Sequence, residues 1–202
     1  MLRLLLDDFV ATRLAMHRVA EDVMKPAREA VTGRFGLRAV PGGFGTPPFG
    51  DVRELWVEGV ELVERSGSEE ARSVVEGADT EAAEALAEWF AFGWGVLEEL
   101  RSEAADLNLA PSAPQLWPEH FDIGLHFGPD EARANYGASP GDETHPEPYL
   151  YVGPWSPPPD GPLWNADGFP GAELSYAELL ATDDRRAAAL EFFRSRRDAL
   201  LS

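Results

Sequence analysis

Proline and glycine decide where this chain can be regular. Of its 202 residues, 17 are proline and 19 are glycine. They gather in Pro41-Gly42-Gly43-Phe44-Gly45-Thr46-Pro47-Pro48-Phe49-Gly50 and again in Ser156 to Gly171, with a shorter break at Pro111 to Pro114. Proline removes a backbone donor and glycine weakens a helix, so no helix is expected to cross these stretches. The first run reads as a loop that must carry Phe44 and Phe49 into apolar surroundings to be held still.

The segments between the breaks have clear periods. Phe9, Met16, Ala20, Val23 and Ala27 recur at helical spacing and predict an amphipathic helix from about Leu4 to Ala30, kinked or ended at Pro26. Arg34 to Val40 alternates as a two-faced strand does. Asp51 to Ser66 reads as a hairpin turning at Glu58-Gly59, with Val57 facing Val60, Leu55 facing Leu62 and Arg53 facing Glu64. Residues 67–78 are weakly patterned and read as a loop with a short strand or a helical turn. Ala82, Leu86, Trp89, Gly93, Val96 and Leu100 then mark one face of a helix from Asp79 to about Ala105. Gly93 and Gly95 cost that helix about 1 kcal/mol each, so something should pack closely against its middle.

A short strand is expected around Asn135 to Ala138. Towards the end, Ser175 and Glu178 have the spacing of a capping box and start a helical turn at Tyr176. Thr182 is placed to cap a final helix, with Asp183 and Asp184 at its positive end and Arg194, Arg196 and Arg197 near its negative end. The order helix, strands, helix, strands, helix predicts a single α+β domain over residues 1–202, an antiparallel or mixed sheet packed with three main helices.

Composition narrows the functions open to such a domain. With 36 acidic residues against 17 basic ones the net charge is -19, which repels nucleic-acid phosphates and anionic membrane surfaces over about a Debye length. Neither nucleic acid nor membrane is expected as a partner. The chain has no cysteine, which excludes thiol nucleophiles, thiolate metal sites and disulfides, and fits a reducing compartment. Asp7 and Asp8 interrupt the apolar opening Met1-Leu-Arg-Leu-Leu-Leu before it resembles an export signal, and no stretch approaches the roughly 18 apolar residues of a membrane span. A cytoplasmic location is expected. The sequence sets no oligomeric state.

Three of the four histidines lie in two segments, Trp117 to Gly128 and Asp142 to Trp155. In the first, Phe121, Ile123, Leu125 and Phe127 alternate with His120, Asp122, Gly124 and His126, so one face is core and the other polar. A single ion held by His120, Asp122 and His126 is unreachable on a strand, because at about 3.3 Å per residue the histidines stand about 20 Å apart. Only His120 with Asp122, about 6.6 Å apart on the same basis, suits one ion. The second segment offers His145 and Glu147 in the same spacing, followed on that face by Tyr149 and Tyr151. If the two strands are antiparallel neighbours, His120, Asp122, His145 and Glu147 come together as candidate catalytic or metal-binding residues, enough for a divalent metal or a general acid and base. The same residues equally make a buried hydrogen-bond network.

The remaining candidates are weaker. His17 reads as facing the polar site from the first helix or as a boundary histidine with one satisfied nitrogen. Gly42-Gly43-Phe44-Gly45 lacks the helix N-terminus that phosphate cradles use, and Asp142-Glu143 reads as a solvated acidic turn in preference to a cation loop. No Gly-x-Ser-x-Gly nucleophile motif is present.

The landmarks Leu14 to Val19, Leu37 to Gly50, the Trp89 helix, His120-Phe121-Asp122-Ile123, Glu147 to Trp155 and the closing helix follow one another in an order that resembles a bacterial family known only as a domain of unknown function. The likeness spans most of the chain and is one of pattern. It implies an architecture and no chemistry.

The residues themselves support a small-molecule-binding domain with a polar cleft lined by His120, Asp122, His126, His145, Glu147, Tyr149 and Tyr151, with His17 as a further ligand-binding candidate. The alternatives are a metal-assisted hydrolase or isomerase using His120, Asp122, His145 and Glu147, and an acidic interaction domain without catalysis.

Overall fold

The computed structural model describes Leu2, Leu5 and residues 7–202. The predicted start of the first helix at Leu4, like Met1, Arg3 and Leu6 of the apolar opening run, lies outside the described residues. The fold is α+β, and both of its sheets are antiparallel. The chain divides into two compact units, one of residues 1–91 and 115–122, the other of residues 92–114 and 123–202. Among the described residues no helix is long and apolar enough to cross a membrane.

The first unit opens with α1 (Phe9–Arg18) and α2 (Lys25–Thr32), joined by a π-helical turn over Val19–Met24. The break expected at Pro26 takes this form: Pro26 sits in the first turn of α2, where a missing N–H costs nothing, and the wider turn before it absorbs the change of register. Next come β1 (Arg38–Val40), β2 (Gly43–Gly45), β3 (Arg53–Glu58), β4 (Glu61–Ser66) and β5 (Glu69–Val74), laid side by side in chain order. The strand expected from Arg34 begins only at Arg38, though Leu37 already bridges Leu116.

β2 replaces part of the predicted loop. Its glycines are what permit a strand there, since a Cβ on Gly43 would lie 2.2 Å from the Val57 carbonyl oxygen and one on Gly45 2.6 Å from that of Leu55. Phe44 between them is buried against Phe90 and Phe121, and Phe49 is buried too. The β3–β4 hairpin turns at Gly59-Val60, one residue later than expected, because Gly59 alone adopts the positive φ that the turn needs. Val57 therefore faces Leu62, and Leu55 faces Glu64. Arg53 now opposes Ser66, yet it still reaches Glu64 diagonally at 2.6 Å.

α3 (Thr80–Asp106) contributes residues 80–91 to the first unit and 92–106 to the second. Asp79 caps it by accepting from the Ala82 amide at 2.9 Å. After β6 (Gln115–Trp117), the second unit builds a meander of β7 (Asp122–Phe127), β8 (Ala134–Ser139), β9 (Tyr149–Pro154) and β10 (Ala172–Ser175). α4 (Tyr176–Leu180) and α5 (Arg185–Leu201) close the chain.

The capping box of Ser175 and Glu178 forms as the spacing requires. The cap of α5 is Asp184, which accepts from the Ala187 amide at 3.0 Å, and not Thr182, whose hydroxyl donates to the Leu179 carbonyl oxygen. Arg186 and Arg194 then tie α5 to Glu99 and Glu103 of α3.

One face of the meander is core: Ile123, Leu125, Phe127, Tyr136, Ala138, Leu150 and Val152 are buried. Tyr136 stacks on Phe127 at 4.1 Å and meets Phe193 of α5 edge-on. The close packing implied by the mid-helix glycines is there: a Cβ on Gly93 would stand 2.7 Å from that of Ala138. Gly93→Ala should therefore destabilise the protein by about 1 to 3 kcal/mol despite its better helix propensity. A urea midpoint equal to or above that of the wild type would refute the account.

Candidate functional site

The opposite face of the meander is polar. Directly opposed residues project to the same side of a sheet, so the register sets Gly137, Tyr151 and Glu173 in one row and Ser139, Tyr149 and Ser175 in the next. Gly137 leaves room for Tyr151 to lie across β8, since a Cβ there would meet the Tyr151 ring within 2.4 Å. Phe169, from the proline-rich stretch, stands edge-on to Tyr151 at 6.5 Å. Asn165 from the same stretch accepts from the Glu173 amide at 3.0 Å and donates to its carbonyl oxygen at 3.1 Å, which fixes β10 where Glu173 projects.

Asp142 and His145 reach this face from the loop before β9. The Asp142 carboxylate accepts from the amides of Thr144 and His145 at 2.7 and 2.8 Å, and from the Thr144 hydroxyl at 2.7 Å. That is a side chain folding its own turn. Its other oxygen accepts from the Tyr149 hydroxyl at 2.7 Å. The imidazole of His145 is thereby held between two carboxylates, Nδ1 3.3 Å from Asp142 and Nε2 3.3 Å from Glu173, with its ring tilted on Tyr149.

Burial works against the charge on Asp142, but the hydrogen bonds from Tyr149, Thr144 and the two amides outweigh it and hold its carboxyl well below the usual carboxylate range. Burial and the adjacent Asp142 carboxylate push the Tyr149 phenol well above its ordinary value. Near neutral pH Tyr149 is thus a neutral donor paired with an anion. Glu173 differs: its Oε2 faces His145, while Oε1 is buried with no hydrogen-bond partner among the described residues.

Of the predicted site residues, the structure brings together His145, Tyr149 and Tyr151. β8 stands between β7 and β9, so the two histidine-bearing strands are not neighbours, and the adjacency on which a four-residue cluster depended is absent. His120 is exposed in a turn ahead of β7, where Phe121 takes a φ of +56° and breaks the alternation that put His120 and Asp122 on one strand face. Asp122 is buried at the first position of β7. Glu147 is exposed in the loop before β9 and projects from no strand.

His126 opposes Asn135 and rests against Trp155 at 5.4 Å, about 13 Å along β8 from Ser139 at a strand's rise. His17 donates from Nε2 to the Pro118 carbonyl oxygen at 2.8 Å and stacks on Phe121, the boundary histidine of the two readings. No known protein family, curated protein or solved structure matches the chain.

Asp142 and Glu173 were not among the predicted site residues. The Asp-x-Thr spacing of residues 142–144 is a recognisable turn signal and could have drawn attention to Asp142. Glu173 has no local signal, because a pairing with β9 across the irregular stretch of residues 155–171 puts it there. Two clefts of about 330 and 290 Å³ open in the first unit, one beside Val19 and Val74, the other beside Arg38 and Trp56. None of the predicted site residues lines either.

Proposed function

We propose that this protein binds a small polar molecule on the outer face of the β7–β10 meander, with the ligand lying against Tyr149 and Tyr151 and donating a hydrogen bond to Glu173. The observation that carries the reading is Glu173 Oε1, a buried carboxylate oxygen without a donor among the described residues. Leaving such an oxygen unmatched costs about 1 to 3 kcal/mol, so a hydroxyl or ammonium group brought there by a ligand gains what the folded chain forgoes. Tyr149, Tyr151 and Phe169 supply aromatic surface beside it.

Binding is favoured over catalysis because both ring nitrogens of His145 are occupied by carboxylates, leaving no free imidazole to move a substrate proton. Of the four residues of the metal-assisted reading, His120 and Glu147 lie in turns off the strands, and Asp122 opens β7, which β8 separates from β9. Among the described residues no three His, Cys, Asp or Glu side chains stand together as an ion would require.

A thermal-shift screen with monosaccharides and short alkylamines tests the proposal. A binder should raise the melting temperature of the wild type by several degrees, and Glu173→Gln should weaken its calorimetric affinity at least tenfold, as expected for a charged hydrogen bond worth about 1.5 to 3 kcal/mol. A panel without any binder, or a binder indifferent to Glu173→Gln, would count against the site.

A further inference from the structure

The outermost strand of the first sheet, β5, pairs among the described residues only with β4, and all 6 of its residues are exposed. Which of its backbone groups are free follows from the hairpin. Val75 donates to the Val60 carbonyl oxygen at 2.8 Å, and the register continues unbroken from Glu61↔Val74 to Ser66↔Glu69. Hydrogen-bonded pairs alternate along an antiparallel ladder. Glu69, Ala71 and Ser73 therefore turn their N–H and C=O towards β4, while Glu70, Arg72 and Val74 present theirs outward. An unpaired edge of this kind is a template for another strand.

We infer that β5 pairs with β5 of a second copy of this chain, antiparallel about a two-fold axis through Ala71, with Glu70 opposite Arg72 of the second copy and Arg72 opposite its Glu70. Two constraints select this register. A two-fold perpendicular to the sheet must match outward-facing residues with outward-facing residues, which admits only pairings among positions 70, 72 and 74. Moving the register by one such step sets Arg72 against Arg72 or Glu70 against Glu70 of the second copy, where like charges are directly opposed, and moving it by two sets Arg72 against Val74 with no opposite charge. With Ala71 on the axis, each Glu–Arg pair exchanges two backbone hydrogen bonds and joins opposite charges.

The side chains already form half of such an arrangement. Within one copy, Arg72 reaches Glu58, Glu61 and Glu70, and Arg65 reaches Glu70 at 3.1 Å. Pairing carries this ladder of ions across the axis. The interface is narrow and each copy carries a charge of -19, so the dimer is weak and forms as concentration rises, at about 0.15 M salt where repulsion is screened beyond about 8 Å.

Sedimentation equilibrium across a hundredfold range of concentration reads it out. The wild type should move from the mass of one chain towards that of two. Arg72→Glu, which opposes Glu to Glu, should raise the dissociation constant at least tenfold. The doubly reversed variant, Glu70→Arg with Arg72→Glu, should return to within about threefold of wild type, and it also separates lost pairing from lost folding. A wild type that stays at one mass throughout, as it would if the edge serves a strand of another protein, overturns the inference. So does a dimer indifferent to Arg72→Glu, or a double variant no tighter than the single one.

Discussion

Gly43→Ala is expected to lower the melting temperature by about 6 to 12 °C, corresponding to about 3 kcal/mol for a chain of this size. The added Cβ would stand 2.2 Å from the Val57 carbonyl oxygen; its place is set by its own backbone and the oxygen is backbone, so no rotamer change relieves the clash. Either β2 withdraws from β3 or the alanine strains its own dihedrals. Withdrawal moves Phe44, whose ring stands edge-on to Phe90 and Phe121. Gly168→Ala is the matching control, because nothing lies within 4 Å of its Cβ and its φ is not positive. It should change stability by less than about 0.5 kcal/mol. Thermal unfolding of both variants followed by circular dichroism decides the matter, and equal midpoints would show that β2 is not held as described.

Asp142→Ala should cost about 2 to 3 kcal/mol and remove ligand binding, since one side chain orders the turn, anchors Tyr149 and faces His145. The pH dependence has a definite sign. The Asp142 carboxyl is held below its unfolded value, so the stability it contributes is fully present above an ordinary aspartate pKa of about 4 and is lost as pH falls through the lower, folded value. Asp142→Asn should accordingly flatten the acid limb of the stability profile. Urea midpoints between pH 2 and 6 provide the check (a range set about the usual carboxylate value of roughly 4), and parallel acid limbs for the two proteins would show that Asp142 is not the group responsible.

Long periodic elements were legible because their pattern is written in adjacent residues. The α3 face from Ala82 to Leu100, the alternation in Ile123 to Phe127 and the capping box at Ser175 all appear where their spacing puts them. β5 was legible only as one of two readings of residues 67–78, a short strand or a helical turn, because a strand solvated on both faces has no apolar alternation to display. β2 was hidden by glycines that read as loop, whereas their lack of a side chain is what admits a neighbouring strand at that distance.

The candidate site divides along the same line. Tyr149 and Tyr151 follow from the period of β9. His120 was misplaced because one left-handed residue, Phe121, shifts the phase, and a non-glycine residue at positive φ leaves no mark in the sequence. Glu173 and His145 meet only through the pairing of β9 with β10 and through the turn that Asp142 folds.

The side chain of Asn165, bonded to both backbone groups of Glu173, imitates one residue of an additional strand. A polymer of sheets needs two reactive edges per molecule, one to receive and one to offer. Asn165 blunts the β10 edge from within the chain, and the two-fold pairing at β5 uses the same edge of both copies, so that association closes on itself at two.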